Sequence, residues 1–517
     1  MLRRAETKYG WLEGIPGGDP RISVFKGVPY AQPPVGALRW KAPQPCQPWC
    51  GVRAADRFAP ISVQGQVGLD WNDFYTRELH PAGSDLQMSE DCLYLNIWTP
   101  ARSADEKLPV FFYIHGGGLL GGYSYEMEFD GERVARKGCI LVTPAYRLGA
   151  LGFLAHSDLS DEAPGESQGN FGFLDQLAAL RWVKENISAF GGDPDRITIA
   201  GQSAGAGSVT ALICSPLISG LISGAIIMSG GGPNTVSASS ISLETAQRRG
   251  AQLLEALGVS SIQEARLLPA QAVCATYASM GRKDPGYPRC PETVVDGVFM
   301  VKDPIQVMKD NELPEVPYMF GSCLDEGSMF YRRMDKSRVS KAAFEEDVRR
   351  EYGKMADAFL KAADVQCDED VRALYQSRDY HVFELGHMAF ARLLNEQGRT
   401  VYGYQFDHDI PGGDGAGSYH GSDLWFFFDS LNRNWRPFTG KHYDLARQVS
   451  SYVVNFVSRG NPNGKDAIGQ PLPEWLPYTQ EQPAEMIFRD TPCCENRGAP
   501  DEILNLRIEK LLGRLDV

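Results

Sequence analysis

The stretch ITIAGQSAGAGSVTALIC (Ile197–Cys214) decides how this chain is read. Ile197–Ala200 is β-branched and apolar and reads as a strand, and residues 206–214 read as a helix of small residues. Between them Gly201-Gln202-Ser203-Ala204-Gly205 has the form G-x-S-x-G. The motif exposes a serine hydroxyl only in a strand–turn–helix context. The serine sits in a strained bend whose neighbours must be glycine, and the helix N-terminus behind it favours developing negative charge. Context matters, because Gly165-Glu166-Ser167-Gln168-Gly169 matches the same pattern but follows the loop DEAP (Asp161–Pro164). Ser203 is therefore the candidate nucleophile, and Ser167 is a loop residue.

Outward from this stretch, Val110–Ile114, Ile140–Thr143, Ala225–Met228, Tyr318–Phe320 and Val401–Phe406 are short apolar runs that read as strands. Phe173–Val183 sets Phe173, Leu177 and Leu180 at helical spacing, with Asn170 as its N-terminal cap. This alternation implies an α/β fold: a large, mostly parallel central sheet with helices on both faces. Ile22–Gly27 and Leu93–Trp98 give it antiparallel N-terminal strands. Helical patterns over Leu243–Leu268 and Lys341–Asn395 read as insertions, within about 231–400, around the carboxyl edge where open α/β sheets place ligands. No repeat or low-complexity linker divides the chain, so residues 1–517 read as a single domain.

Hydrophobic residues make up 43% and charged residues 22%, a globular balance. Lys and Arg number 51 against 65 Asp and Glu, a net charge of −14 with no basic stripe, which argues against nucleic-acid and anionic-membrane binding. The 11 cysteines are irregularly spaced and contain no CxxC pair, so they read as reduced thiols rather than metal ligands. The start, MLRRAETKYG, lacks the apolar run of a signal peptide; with the thiols, this makes a cytoplasmic location the expectation. Ile197–Leu243 carries no charge, but Pro216 and recurrent Gly and Ser mark it as a buried core rather than a membrane helix.

His115-Gly116-Gly117-Gly118 follows the strand Val110–Ile114. Gly116–Gly121 also satisfies G-x-G-x-x-G, but Gly122-Tyr123-Ser124-Tyr125 follows where a dinucleotide site needs a helix. The better reading is a loop of backbone donors: the N–H groups of Gly117 and Gly118, with that of Ala204, would form a three-donor oxyanion hole.

These motifs, with FKGVPYAQPPVGALRW (Phe25–Trp40), SEDCLYLNIWTP (Ser89–Pro100), YRLGALGFL (Tyr146–Leu154), DEG (Asp325–Gly327) and NPNG (Asn461–Gly464), resemble the type-B carboxylesterase/lipase family, the cholinesterase-like branch of the α/β-hydrolases that includes bacterial para-nitrobenzyl esterases. The resemblance implies an α/β-hydrolase fold and a Ser-His-Glu triad. Glu326 of Asp325-Glu326-Gly327 matches the family's acid, with Asp325 its nearest rival, and His420 of Ser418-Tyr419-His420-Gly421 matches the base. Ser229 resembles a serine that hydrogen-bonds around the acid. Gln202 stands where Glu is common, and Leu119, a candidate substrate-pocket residue, where an aromatic residue is. Cys92 often has a family disulfide partner near Phe58–Gln64, where this chain has Ser62. Ala82 occupies the position of the choline-stacking Trp, which argues against choline esters. Trp71, Phe74, Tyr75, Tyr123 and Tyr419 are candidate gorge-wall residues.

The implied activity is cofactor-independent and metal-free hydrolysis of short-chain or aryl carboxylic esters, with a small ester and water as partners and the oligomeric state unspecified. Feruloyl-type esters or lipase activity are alternatives within the family. A non-catalytic cholinesterase-like binding module is the alternative from another class.

Overall fold

The computed structural model describes residues 1–65, 73–81, 86–232, 240–283, 287–288, 290–327, 339–377 and 380–515. Its centre is an eleven-stranded sheet. In chain order the strands are β1 (Ile15–Pro16), β2 (Ser23–Pro29), β3 (Tyr94–Thr99), β4 (Leu108–Ile114), β5 (Ile140–Pro144), β6 (Gly192–Gln202), β7 (Gly224–Met228), β8 (Tyr318–Cys323), β9 (Val401–Phe406), β10 (Ala484–Phe488) and β11 (Cys493–Asn496). Across the sheet they lie in the order β11-β10-β9-β8-β7-β6-β4-β5-β3-β2-β1. The run from β5 to β10 is parallel. The expected antiparallel start is present, since β1, β2, β3 and β5 pair antiparallel. β11 closes the other edge antiparallel as well.

Strand periodicity divides the core between the two faces. Val110, Phe112 and Ile114 of β4 pack with Ile197 and Ile199 of β6, beneath α1 (Phe171–Asn186) and α2 (Ala204–Cys214). Phe111 and Tyr113 face the other way, against Leu445, Val449, Tyr452 and Phe456, which lie one to two turns apart on the long helix Gly440–Arg459. Every residue of β4 from Pro109 to Ile114 is buried, as a sheet covered on both sides requires.

Between residues 240 and 400 helices lie at Leu243–Leu257, Ile262–Arg266, Ala270–Lys283, Lys341–Tyr352, Ala356–Ala363, Asp368–Gln376 and Val382–Glu396. One local expectation is corrected. Asn170 occupies the N-cap position of α1, but its side chain makes no capping bond. Its amide is used across the fold instead: Nδ2 donates to the Val294 carbonyl at 2.9 Å and Oδ1 accepts the Val294 N–H at 3.0 Å. Ser167, the serine of the second G-x-S-x-G match, is also structural, its hydroxyl donating to Asp296.

Among the described residues no disulfide is formed. Cys92 is buried. Among the described residues no helix is long and apolar enough to cross a membrane.

Candidate active site

The carboxyl ends of β4, β6, β7 and β8 lie side by side and deliver the candidate residues to one edge of the sheet. β6 ends at Gln202 and α2 begins at Ala204, so Ser203 alone makes the turn. Its φ of 58° and ψ of −123° fall where a non-glycine residue is strained. The bend closes because its flanks lack a Cβ. One at Gly201 would lie 2.3 Å from the Gly205 carbonyl, and one at Gly205 would lie 2.2 Å from the Ile114 carbonyl oxygen. The Ser203 N–H donates to the Met228 carbonyl at 2.9 Å, tying the bend to β7.

Glu326 and His420 are brought together from separate segments. Glu326 folds back after β8, so that Oε1 accepts the Cys323 N–H at 2.8 Å and Oε2 lies 2.5 Å from His420 Nδ1. Both residues are buried. Burial by itself pushes the Glu326 carboxyl up. The adjacent His420 imidazole, with His381 and the Ser229 hydroxyl, outweighs it and holds the group below the usual carboxylate value. The carboxylate is thus ionised, which places the imidazole proton on Nδ1 and leaves Nε2 as the acceptor. The Gln202 amide nitrogen lies 3.2 Å from that Nε2. Ser229 is buried beside Glu326, although its hydroxyl makes no hydrogen bond of full geometry.

Asp325, the rival acid, faces elsewhere: its carboxylate accepts the Ser418 N–H at 2.9 Å and the Ser418 hydroxyl at 3.1 Å. That contact and the Asp325–Tyr419 bridge hold the segment bearing His420 alongside the one bearing Glu326. Ser203, His420, Gln202, Gly117, Gly118 and Ala204 all line one cavity of about 440 Å³. Gly117 and Gly118, with φ of 100° and 67°, carry their backbone along its wall.

A family model described as "Carboxylesterase family" matches residues 3–502. The chain belongs to the carboxylesterase family. It is a carboxylic-ester hydrolase with the α/β-hydrolase fold. A fumonisin B1 esterase of Sphingopyxis macrogoltabida is 32% identical to it over 470 residues, spanning 88% of this chain and 82% of the relative. The medium-chain fatty acyl-CoA hydrolase precursor of Anas platyrhynchos is 33% identical over 500 residues, spanning 90% of this chain and 86% of the relative. Among solved structures, PNB esterase superposes with a TM-score of 0.81 at 28% identity, covering 98% of this chain and all 100% of that one.

In this carboxylesterase the pocket wall differs from the sequence reading. Tyr419 and Tyr75 line the cavity, whereas Phe74 stands behind them in edge contact with both rings. Tyr123 is one layer back, its hydroxyl 3.0 Å from Nδ1 of His80, which does line the cavity. Leu119 is not a pocket residue: at φ 58° it is turned into the core, fully buried with Ile114, Tyr146 and Leu148. Trp71 and Ala82 lie outside the described residues.

The carboxylesterase also buries groups that no motif announced. Glu78 is fully buried on a short helix, where it accepts Arg436 Nη2 at 2.8 Å, the Tyr419 hydroxyl at 2.8 Å and Trp435 Nε1 at 3.0 Å. This network stiffens the residue preceding His420. Its partners are too far apart in sequence for any local pattern to reveal.

Glu126 and Glu128 line the cavity and are almost entirely buried. Burial pushes Glu126 up to about 8, against hydrogen bonds from Glu128 and the Tyr123 N–H, and pushes Glu128 well above its ordinary value. Between the ordinary carboxyl value and about 8, the folded protein keeps a proton that the unfolded chain has released. The Glu126 contribution to stability therefore falls as pH rises through that window, by about 1.4 kcal/mol per pH unit, and levels off above it. Glu126→Gln removes this term. The thermal midpoint of the wild type is expected to drop from pH 5 to pH 8 more than that of Glu126→Gln. Parallel midpoint curves for the two proteins would refute the assignment.

Proposed function

We propose that this carboxylesterase hydrolyses short-chain or aryl esters through Ser203, His420 and Glu326, by way of an acyl-enzyme. The observation that carries the reading is the 2.5 Å contact of Glu326 with His420 Nδ1, beside a cavity that Ser203 also lines. Ser203 Oγ attacks the ester carbonyl carbon as His420 Nε2 takes its proton. Glu326 holds the tautomer in which Nε2 is basic and stabilises the imidazolium that forms. The carbonyl π pair becomes an oxyanion received by the N–H groups of Gly117, Gly118 and Ala204. His420 returns the proton to the departing alkoxide, and water, deprotonated by the same nitrogen, releases the acid. The Gln202 amide nitrogen, 3.2 Å from Nε2 and 3.4 Å from Nδ1, lies against the imidazole and leaves the Nε2 lone pair open to the serine proton.

The substrate class rests on the wall. Tyr75, Leu79, Phe129, Phe383, Tyr419 and Leu424 enclose the cavity with rings and aliphatic groups, and the volume of about 440 Å³ is at the small end for ligand sites. An aryl or short acyl group fits inside, whereas a long chain must leave it. Across p-nitrophenyl esters of C2 to C16 acids, kcat/KM is expected to peak at or below C6 and to fall at least about tenfold by C16. A maximum at C12–C16 on emulsified substrate would replace this reading with a lipase.

A further inference from the structure

The candidate oxyanion loop is a thin wall. Gly117 and Gly121 line the catalytic cavity on one side and a second cavity of about 330 Å³ on the other, bounded by Val63, Gln64, Ala150 and Tyr277. Glycine backbone with space on both sides has no side-chain packing to fix it. Its upstream part is secured, since Leu119 is buried in the core and its carbonyl accepts the Gly149 N–H at 2.7 Å. The downstream part turns back on itself, with the N–H of Gly121 donating to the Gly117 carbonyl at 3.0 Å. Any displacement of residues 121–122 is thereby passed to the Gly117–Gly118 peptide, which carries the Gly118 N–H.

Gln64 grips this downstream part. Its Oε1 accepts the Gly122 N–H at 2.9 Å, and its Nε2 donates to the Gly122 carbonyl at 2.9 Å and to the Ser62 carbonyl at 3.1 Å. The Gln64 side chain is buried, and its bond to the Ser62 carbonyl is shielded from water. It clamps one residue by both its N–H and its C=O, a geometry that stops rotation as well as translation. We infer that Gln64 is a positioning residue for ester hydrolysis: by clamping Gly122 it holds the Gly117–Gly118 peptide, and with it the Gly118 N–H, in place for the tetrahedral oxyanion. The inference rests on the function proposed above. It adds to that function a residue that touches neither substrate nor reacting atoms.

Oxyanion donors act by being in place beforehand, so a loosened loop costs the transition state more than the bound ester. Gln64→Leu keeps the volume and removes all three bonds. Gln64→Glu keeps the acceptor for Gly122 N–H and loses both donations. Expected for Gln64→Leu is a fall in kcat of about 10- to 100-fold with KM within about threefold, and for Gln64→Glu an intermediate fall.

The second readout uses an alkyl trifluoromethyl ketone and its methyl ketone counterpart. In the fluorinated compound Ser203 Oγ bonds to the carbonyl carbon, the π pair becomes an oxyanion, and the serine proton passes to His420; nothing leaves. Its inhibition constant should rise in Gln64→Leu by the same factor as kcat falls, while that of the unreactive methyl ketone stays within about twofold. Equal weakening of both ketones, or kcat within twofold of wild type, would overturn the clamp. If Gln64→Leu does not fold, as judged by its thermal transition, Gln64→Glu is read in the same way. Failure of wild type to hydrolyse esters or to bind the fluorinated ketone would instead defeat the proposed function.

Discussion

Ser203→Ala is expected to lower kcat/KM for p-nitrophenyl acetate by a factor on the order of 10⁵–10⁶ and to abolish the pre-steady-state burst of p-nitrophenol. On the proposed mechanism the burst reports acyl-enzyme formation, and the acyl group would be carried by the Ser203 oxygen. The remaining rate, above that in water, belongs to the backbone donors and to substrate binding, which the substitution leaves in place. The fold should tolerate the change. Alanine keeps a Cβ where serine has one, and the Ser203 N–H bond to Met228 that ties the bend to β7 is a backbone contact. A loss of thermal stability is not expected, because the strain at φ 58° is shared by both residues. Wild-type activity in the variant would exclude Ser203 as nucleophile and reopen the choice of residue within the same cavity.

Glu326→Gln should be nearly as damaging, with kcat reduced by about 10⁴-fold while KM changes little. The reason is the direction of one hydrogen bond. Oε1 of residue 326 accepts the Cys323 N–H at 2.8 Å, so the amide oxygen of a glutamine is held at that position. The amide nitrogen is then forced to the Oε2 position, 2.5 Å from His420 Nδ1 in the wild type, and donates there. Nδ1 must accept, the ring proton moves to Nε2, and the nitrogen that should take the Ser203 proton is already protonated. The loss should be present at every pH at which the wild type is active, because it is a tautomer effect rather than a titration. Asp325→Asn, at a carboxylate that accepts from Ser418, should cost less than about tenfold in kcat. Reversal of that order in the two variants would transfer the acid role to Asp325.

Legibility followed distance along the chain. The Ser203 turn was readable because every constraint on it is local: β-branched residues before it, small residues after it, and glycines whose missing Cβ atoms let Gly201 meet Gly205. The strands were readable for the same reason, since Val110–Ile114 must bury both faces, and it forms the carboxyl-terminal part of β4. Glu326 and His420 were not derivable from spacing. They came from the resemblance of short blocks to a family, and 94 residues separate them. Asn170 shows the limit of local reasoning, because it holds the cap position yet spends its amide on Val294. Leu119 shows it again: one left-handed φ sends a residue adjoining the glycine loop into the core.

By itself the sequence determined the α/β alternation, the nucleophile bend and the glycine loop that follows β4, all consequences of steric and hydrogen-bonding rules acting over a few residues. Only the tertiary structure decided that Glu78 meets Arg436 across 358 positions, that Glu126 and Glu128 are buried together in the cavity, and that Gln64 grips Gly122. Such contacts depend on burial and on which segments the folded sheet sets side by side, and neither leaves a periodic trace in the order of the residues.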